Sequence, residues 1–357
     1  MKDFLIVGHG IAGAVLSNLL IEKGKAIDVL DEPNKNISSM VAAGLYNPIT
    51  GRRMVKTWMA DSLFPSMLET YRRLEKVLSS QFLHDIGIYR PFVDIAEQND
   101  WDAKRSDDKF AQFIEDVARD SVSEIDLNDP HGGLHLAQSG YLDIPALLLA
   151  SSERLKALNS YSEENFEEDK LEIGDDTVFY KGTEYGRVIY CNGLRAQESK
   201  HFGWLPFRPV KGDVMIMSGE KDLKKIYNRG IFILPRKNRE VKVGSTYQNH
   251  FESIEPTEKG QNELLEKLSA LCHESFERKE ALAGVRPATK DRRPLIGKHP
   301  EYGQFYLFNG FGSKGVSLVP YFAHDLLSHL IHGTEINEDV NLNRYLKEYS
   351  NPVNISR

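Results

Sequence analysis

Residues 2–32 read KDFLIVGHGIAGAVLSNLLIEKGKAIDVLDE and contain the pattern that decides the fold. A short apolar run ends at Val7, three glycines follow at GxGxxG spacing, and the apolar stretch 14–21 is typical of a helix. A second apolar run, 26–30, ends at Asp31. A strand, a glycine turn, a helix and a second strand in this order predict a βαβ unit that binds a dinucleotide.

The three glycines have separate physical roles in such a unit. Gly8 permits the tight turn out of the strand, and Gly10 has no Cβ to hold the backbone away from a pyrophosphate. Gly13 lets the helix pack close to the sheet. The helix begins near Ile11 and Ala12, where unpaired N–H groups and the positive end of the helix dipole would face the phosphates.

An acidic residue at the end of the second strand indicates which nucleotide is bound. Asp31, with Glu32 beside it, is placed to accept hydrogen bonds from the ribose of an adenosine. A carboxylate there disfavours NADP, whose ribose carries a phosphate, and leaves FAD or NAD. The alternative is a glycine turn that binds nothing, but a lone turn would not need the strand, helix and terminal acid in order.

Length and composition exclude several other classes of protein. A chain of 357 residues predicts about two domains. Cys191 and Cys272 are far apart and lack metal-ligand spacing, so we expect neither a disulfide framework nor a metal site. No apolar run is long enough to span a bilayer, and no secretory signal is present, so we expect a cytoplasmic protein. The net charge of −7 argues against extended nucleic-acid binding, although two small basic clusters occur, Arg52-Arg53-Lys56 and Lys290-Arg292-Arg293.

The rest of the chain alternates between helical and strand-like patterns. Apolar residues at helical spacing predict helices within 62–80, 141–156 and 256–276, and charged residues indicate another at 107–119. Residues 161–180 alternate like a β-hairpin. Further short apolar runs predict strands at 187–193, 209–217, 230–235 and 240–246. The first of these strands ends in a glycine and is expected to return to the first sheet.

Six separated motifs resemble one family, the D-amino-acid oxidase-like FAD-dependent oxidoreductases. This family includes glycine oxidase, sarcosine oxidase and the oxidase domain of the tRNA 5-methylaminomethyl-2-thiouridine biosynthesis protein. The resemblance extends from Phe4 to Gly333, and AAGLYNP and GFGSKGV are most similar to the tRNA-modifying domain. The motifs are GxGxxG (8–13), SSMVAAGLYNP (38–48), RPVKGD (208–213), ILPRKNREVKVGST (233–246), GVRPAT with RPLIG (284–297), and GFGSKGV (310–316).

The resemblance implies FAD as the cofactor, held without a covalent bond because neither cysteine lies where some members attach it. The segment from Ser39 to Leu45 corresponds to the second FAD loop, and Phe166 to a position that contacts adenine. The expected cofactor-binding residues are Gly8, Gly10, Ile11, Ala12, Gly13, Asp31, Glu32, Ser39, Met40, Ala43, Gly44, Leu45, Phe166, Cys191, Asn192, Gly193, Arg286, Gly310, Gly312, Ser313, Lys314, Gly315 and Val316.

Three basic residues are the catalytic candidates that the resemblance implies. Arg286 corresponds to the arginine that binds a substrate carboxylate, a task suited to its planar, bidentate side chain. Its alternative is a structural ion pair, for example with Asp291. Lys242 corresponds to the lysine beside flavin N5 that promotes reaction with dioxygen. Lys314 would stabilise negative charge near flavin N1 and O2.

We therefore expect an α/β flavoprotein with a Rossmann-like FAD-binding domain (1–80, 141–205 and 284–357) and a β-rich substrate domain (81–140 and 206–283). The implied reaction oxidises the CH–NH bond of an amino acid or secondary amine to an imine, by hydride transfer to flavin N5, with dioxygen as acceptor. The alternatives are a tRNA substrate, disfavoured by the net charge, a nicotinamide-dependent dehydrogenase, and a non-catalytic FAD-binding module.

Overall fold

A computed structural model describes residues 1–32, 37–51, 54–121 and 125–350. The α-helices of this part, α1 to α8 in chain order, are Ile11–Glu22, Ser38–Val41, Ala60–Leu78, Ile95–Lys104, Ile144–Ala157, Glu258–Leu271, Gly315–His332 and Leu346–Ser350. None of the described helices is both long enough and apolar enough to cross a membrane.

The strands of the same residues group into two eight-stranded sheets, one three-stranded sheet and one two-stranded ribbon. In chain order, β1 to β21 are Lys2–Val7, Ile27–Asp31, Leu45–Tyr46, Ile49–Thr50, Val55–Lys56, Leu83–His84, Ile88–Pro91, Ile114–Ala118, Gly133–Leu136, Gly140–Leu142, Tyr161–Glu163, Leu171–Ile173, Val178–Tyr180, Thr183–Tyr190, Val210–Ser218, Ile226–Arg229, Ile231–Pro235, Glu240–Gly244, Glu277–Arg286, Leu295–Lys298 and Phe305–Asn309.

The first large sheet is built around β1, whose side chains from Phe4 to Val7 are buried. β1 pairs in parallel with β2 and β14, and β11 and β21 extend the parallel order on either side. Antiparallel strands β12, β13 and β20 complete it. Because the carboxyl ends of parallel strands meet at one edge, the turns after β1, β2, β14 and β21 come together there, as in other doubly wound folds.

The second large sheet runs in the order β19-β15-β18-β17-β16-β7-β9-β8 and is antiparallel except between β16 and β7. Alternate side chains of a strand point to opposite faces. On one face, Met215 and Met217 of β15 pack with Leu264 and Leu268 of α6 in a buried cluster. The other face approaches α2, because Lys242 of β18 donates hydrogen bonds to carbonyls at its C-terminal end.

The predicted fold class is confirmed: an α/β protein with a Rossmann-like parallel sheet and a second, β-rich unit. β14, as predicted, returns to the first sheet beside β1. The expected division into domains stays a prediction. The sheets support it, because the first takes strands from 2–31, 161–190 and 295–309 and the second takes strands from 88–136 and 210–286.

Two local predictions were wrong. The charged stretch 107–119 is not a helix, because it holds a short 3₁₀ turn and then edge strand β8, whose pairing with β9 outweighs the local preference. The helix lies earlier, at Ile95–Lys104, where the Asp94 side chain caps its N-terminus by accepting from the Glu97 amide. Residues 161–180 are not one hairpin either, since β11 pairs in parallel with β2 and only β12 and β13 form an antiparallel pair.

Candidate active site

A cleft of about 600 Å³ opens where the carboxyl ends of the parallel strands meet. Segments far apart in the sequence form its walls. The predicted cofactor-binding residues that line it are Gly8, Gly10, Ile11, Ala12, Asp31, Glu32, Ser39, Phe166, Cys191, Asn192, Gly193, Gly312 and Gly315. The fold thus brings thirteen of the predicted residues to one surface, and the remaining ones do not line it.

The glycine turn at the base of the cleft leaves no room for side chains at two positions. Gly8 has a φ of 96°, and a Cβ on it would lie 2.8 Å from the Cys191 carbonyl oxygen. Gly13 does not line the cleft, because it faces the turn, where a Cβ would lie 2.0 Å from the Gly8 carbonyl oxygen. Gly13 therefore allows α1 to pack against β1, and the cleft surface comes from Gly8 and Gly10.

The N-terminus of α1 points its backbone donors at the cleft. Gly10 precedes the helix without a side-chain cap, and no acidic residue lies in the first turn. The Ile11 amide donates to the Ser39 hydroxyl at 3.1 Å, and the next amides have no intrahelical acceptor. Free N–H groups and the positive end of the helix dipole fit the pyrophosphate of a dinucleotide.

At the end of β2 the two acidic residues have different partners. The Asp31 carboxylate accepts hydrogen bonds from the His9 amide at 2.8 Å and from the Tyr161 hydroxyl at 3.2 Å. Glu32 forms an ion pair with Arg195, whose guanidinium also donates to Asn165 across the cleft wall. Asp31 is therefore held from within the protein, whereas Glu32 belongs to the exposed rim.

The second predicted FAD loop, Ser39 to Leu45, lies partly at the cleft and partly in the interior of the protein. Ser39 lines the cleft, whereas Met40 is exposed and Ala43 and Leu45 pack on the hydrophobic core. Gly44 has a φ of 71°, and a Cβ on it would lie 1.9 Å from the Leu142 carbonyl oxygen. Gly44 is therefore required for the close approach that lets β3 pair with β10.

Lys242 is a buried cation, with 5% of its surface exposed, on the face of the second sheet that approaches the second loop. Its Nζ donates to the Val41 carbonyl at 2.8 Å and to the Ala42 carbonyl at 3.0 Å. Burial, with the nearby Arg236 guanidinium, lowers the pKa of Lys242 to about 8. The amine is thus still mostly protonated at pH 7 and loses its charge as the pH rises through about 8, and its position is fixed by the carbonyl groups at the end of α2.

Arg286 ends β19 between Val285 and Pro287, both of which line the cleft. Its Nη2 donates to the Ser245 hydroxyl at 2.7 Å, and its guanidinium lies 4.3 Å from the ring centroid of Tyr247. The Nη1 atom is buried and has no hydrogen-bond partner among the described residues. Burial lowers the pKa of the Arg286 guanidinium, and an unpaired buried donor of this kind fits an anionic ligand.

The alternative of an ion pair between Arg286 and Asp291 is wrong. The Asp291 carboxylate is 2.9 Å from Nε of Arg344 and also accepts from the Arg293 amide. The Arg286 guanidinium lies over Gly212 of β15, where the missing side chain leaves space for it. A Cβ on Gly212 would lie 2.3 Å from Nη2.

The GFGSKGV loop carries the remaining candidates. Gly312 and Gly315 line the cleft, whereas Gly310 packs on Thr289, Ser313 is exposed and Val316 is buried in the core. The Nζ of Lys314 lies 3.3 Å from the Thr50 hydroxyl and 3.4 Å from the Thr57 hydroxyl. Burial lowers the pKa of Lys314, and the neighbouring Arg293 and Arg292 lower it further. Arg52 and Arg53, which belong to the first of the two basic clusters in the sequence, lie outside the described residues.

Several residues at the site were missed by the sequence analysis. Asn309 joins two walls of the cleft, because its Nδ2 donates to the Gly193 carbonyl at 2.9 Å while its Oδ1 accepts from the Gly310 amide. Its place between a strand and a glycine was a signal that could have found it. Tyr161 and Tyr247 had no such local signal, since both depend on contacts between distant segments.

Comparisons with known proteins identify the family of the chain. The family profile described as FAD dependent oxidoreductase matches residues 3–329. The bifunctional tRNA 5-methylaminomethyl-2-thiouridine biosynthesis protein MnmC of Legionella pneumophila (strain Corby) is 21% identical over 390 residues, covering 93% of this chain and 54% of that protein. Glycine oxidase of Bacillus subtilis (strain 168) is 31% identical over 137 residues, which are 37% of each chain. The chain therefore spans about half the length of the MnmC relative.

Solved structures of other proteins have the same fold as this chain. The crystal structure of glycine oxidase from Geobacillus kaustophilus aligns with a TM-score of 0.75 and 18% identity, covering 94% of this chain and 95% of that chain. At this identity the likeness concerns the fold alone. The family profile, however, covers most of the chain, including all six motifs and every residue that lines the cleft. The chain belongs to the D-amino-acid oxidase-like family of FAD-dependent oxidoreductases.

Proposed function

We propose that the protein oxidises the CH–NH bond of a small amino acid or secondary amine to an imine, which water then hydrolyses. The observation that carries the proposal is Arg286, a largely buried guanidinium beside the cleft whose buried Nη1 has no hydrogen-bond partner among the described residues. A buried cation without a carboxylate partner is costly, and the carboxylate of an amino acid would supply that partner.

The proposed roles in FAD binding follow from the cleft. The amides at the start of α1 would hold the pyrophosphate, Asp31 the adenosine ribose, and the segment around Phe166 the adenine. When bound, FAD supplies the acceptor for a hydride from the amine carbon. We assign to Lys314, at the start of α7, the stabilisation of negative charge on the pyrimidine side of the flavin.

Non-covalent attachment of FAD is part of the proposal. Burial raises the pKa of the Cys191 thiol, so this residue stays protonated and unreactive at neutral pH. Cys272 packs in the core beneath α6, on the far side of the second sheet. Both thiols are free, which fits the reducing cytoplasm expected for the protein.

The substrate would lie between the flavin and the second sheet, with its carboxylate on Arg286. The guanidinium is already oriented by Ser245 and by the ring of Tyr247. Orientation of this kind lowers the cost of binding and presents the amine carbon to the cofactor in one geometry. The residues of the chain would thus mainly position the substrate.

Lys242 is proposed to promote reaction of the reduced cofactor with dioxygen, because an ammonium group stabilises the negative charge that forms on oxygen. We expect Lys242→Met to slow reoxidation at least tenfold, a loss typical of one preorganised charge, and to slow reduction by substrate much less. Stopped-flow absorbance measures the two half-reactions separately. In the wild type, reoxidation should slow as pH rises through about 8, because the cation is lost above that pKa, and the variant should lack this dependence. Equal effects on both half-reactions would remove Lys242 from the mechanism.

Anaerobic bleaching of the flavin tests the proposed reaction. Purified protein is mixed without oxygen with a panel of amino acids, N-methyl amino acids and amines that lack a carboxylate. We expect loss of flavin absorbance with compounds that carry both an amine and a carboxylate. Reduction by none of them would favour a non-catalytic FAD-binding module. NADH is added in a separate mixture, and reduction by NADH alone would indicate a different reaction class.

A second substrate, a modified uridine in RNA, is favoured by one local observation and by the MnmC relatives. The Arg293 guanidinium lies 3.7 Å from the ring centroid of Trp58, and Lys314 contacts the adjacent Thr57. Arg293 and Trp58 are both half-exposed, and arginine and aromatic side chains are residue types that contact single-stranded nucleic acid. Including an aminomethyl-uridine nucleoside and an RNA that contains it in the same bleaching panel distinguishes the two substrates.

A further inference from the structure

Among the described residues, two hydrogen bonds orient the carboxylate of Asp31. One oxygen accepts from the His9 amide at 2.8 Å, and the other accepts from the Tyr161 hydroxyl at 3.2 Å. A carboxylate oxygen has two acceptor positions, so each oxygen can still accept one further hydrogen bond. Asp31 lines the cleft, and the remaining acceptor positions are available to a ligand there.

Tyr161 reaches Asp31 because of the register of the sheet. β11 pairs in parallel with β2, with Tyr161 opposite Val29 and Glu163 opposite Asp31. Residues two apart on a strand share a face, so the side chains of Tyr161 and Asp31 lie on the same side. Burial, together with the Asp31 carboxylate, raises the pKa of Tyr161, and its hydroxyl therefore remains a donor at all physiological pH values.

The ring of Tyr161 is held in place from two sides. The His9 ring meets it edge-on, with centroids 5.2 Å apart, and the Lys156 ammonium lies 5.2 Å from its centroid. His9 itself is anchored in the core, where its Nε2 is 2.8 Å from the Ser151 hydroxyl. Burial lowers the pKa of His9 to about 4, so the ring is neutral and the contact does not change near neutral pH.

We propose that Tyr161 is a positioning residue for the adenosine-binding end of the cleft. Its hydroxyl fixes the Asp31 carboxylate in the rotamer that accepts a hydrogen bond from the ribose 2′-hydroxyl. Tyr161 thereby makes the site specific for an unmodified ribose. The inference depends on the cleft holding FAD, and it is independent of the amine substrate proposed above.

Binding of ADP and 2′-deoxy-ADP to FAD-depleted protein tests the proposal by titration calorimetry. We expect the wild type to bind ADP roughly tenfold more tightly than 2′-deoxy-ADP, as one hydrogen bond to a carboxylate predicts. In Tyr161→Phe this preference should fall to about threefold or less, because the carboxylate keeps its charge but loses its fixed orientation. Asp31→Ala should show no preference.

Tyr185→Phe is the matched control. Tyr185 also donates to an aspartate of β2, Asp28, at 2.7 Å, but neither residue lines the cleft. This variant should keep the wild-type preference for ADP, even if its thermal stability falls. Equal weakening of both nucleotides by Tyr161→Phe would mean that Tyr161 is only structural. An unchanged preference in that variant, or no preference in the wild type, would also overturn the proposal.

Discussion

Gly10→Val is expected to yield a folded protein that binds no FAD. Gly10 has a φ of −72° and a ψ of −173°, a conformation that valine also adopts. The nearest atom to an added Cβ is the Ser39 hydroxyl oxygen at 3.1 Å, so the backbone around the turn can stay as it is. The branched side chain would, however, occupy the space in front of α1 that a pyrophosphate needs.

The measurement is the colour and absorbance of purified protein. Wild-type protein should be yellow, and acid or heat should release its FAD into the supernatant. Gly10→Val should be colourless and should not recover flavin absorbance when FAD is added. Flavin that stays with the denatured wild-type chain would contradict non-covalent binding alone, whereas normal FAD binding by the variant would contradict the assignment of the cleft.

Gly13→Ala separates cofactor binding from folding. Its Cβ would lie 2.0 Å from the Gly8 carbonyl oxygen, so the helix must move away from β1. We expect this variant to lose about 1–3 kcal/mol of stability from overpacking, measured by thermal unfolding of the FAD-depleted protein. Gly10→Val should unfold at the temperature of FAD-depleted wild type, because its side chain projects into the cleft.

The dinucleotide unit could be predicted from thirty residues because its determinants are local. The structural roles of the apolar runs, the three glycines and Asp31 follow from the residue types themselves, and their order is compatible with few other folds. The contacts of Gly13 agree with the packing role predicted for it, and Gly13 does not line the cleft. Gly44, predicted as a ligand-binding residue, is required by the approach to Leu142, which lies almost a hundred residues further along the chain.

The arrangement of the second sheet could not be predicted in the same way. Lys242 lies on β18 and Arg286 lies on β19, and these two strands pair with opposite edges of β15. Both side chains therefore point to the same face of the sheet only because each strand pairs with β15 in one particular register. Pairings between strands that are far apart in sequence depend on tertiary contacts, not on local propensity. The same reason explains why Tyr161 was missed and why the helix expected at 107–119 is instead an edge strand.

Arg286→Ala is expected to weaken the binding of carboxylate-bearing substrates strongly. Losing one charged partner of a desolvated pair costs about 2–5 kcal/mol, which corresponds to a rise in the dissociation constant of about 30-fold to 5,000-fold. Amines without a carboxylate should lose little, because they make no contact with the guanidinium. Arg286→Lys should restore part of the affinity, since an ammonium group keeps the charge but not the bidentate geometry. Anaerobic titration of the flavin absorbance gives the dissociation constant for each variant.

Gly212→Ala tests the position of the guanidinium without removing its charge. The added Cβ would lie 2.3 Å from Nη2 and 2.5 Å from Nη1, so the Arg286 side chain must shift away from Ser245. We expect a smaller loss than in Arg286→Ala, again confined to substrates with a carboxylate, because a charge-assisted hydrogen bond depends on alignment as well as distance. Unchanged binding of a carboxylate substrate in both variants would show that Arg286 stabilises the second sheet and takes no part in recognition. Weakened binding of all amines alike would instead indicate that the variants disturb the flavin, since a substrate without a carboxylate has no reason to sense the guanidinium.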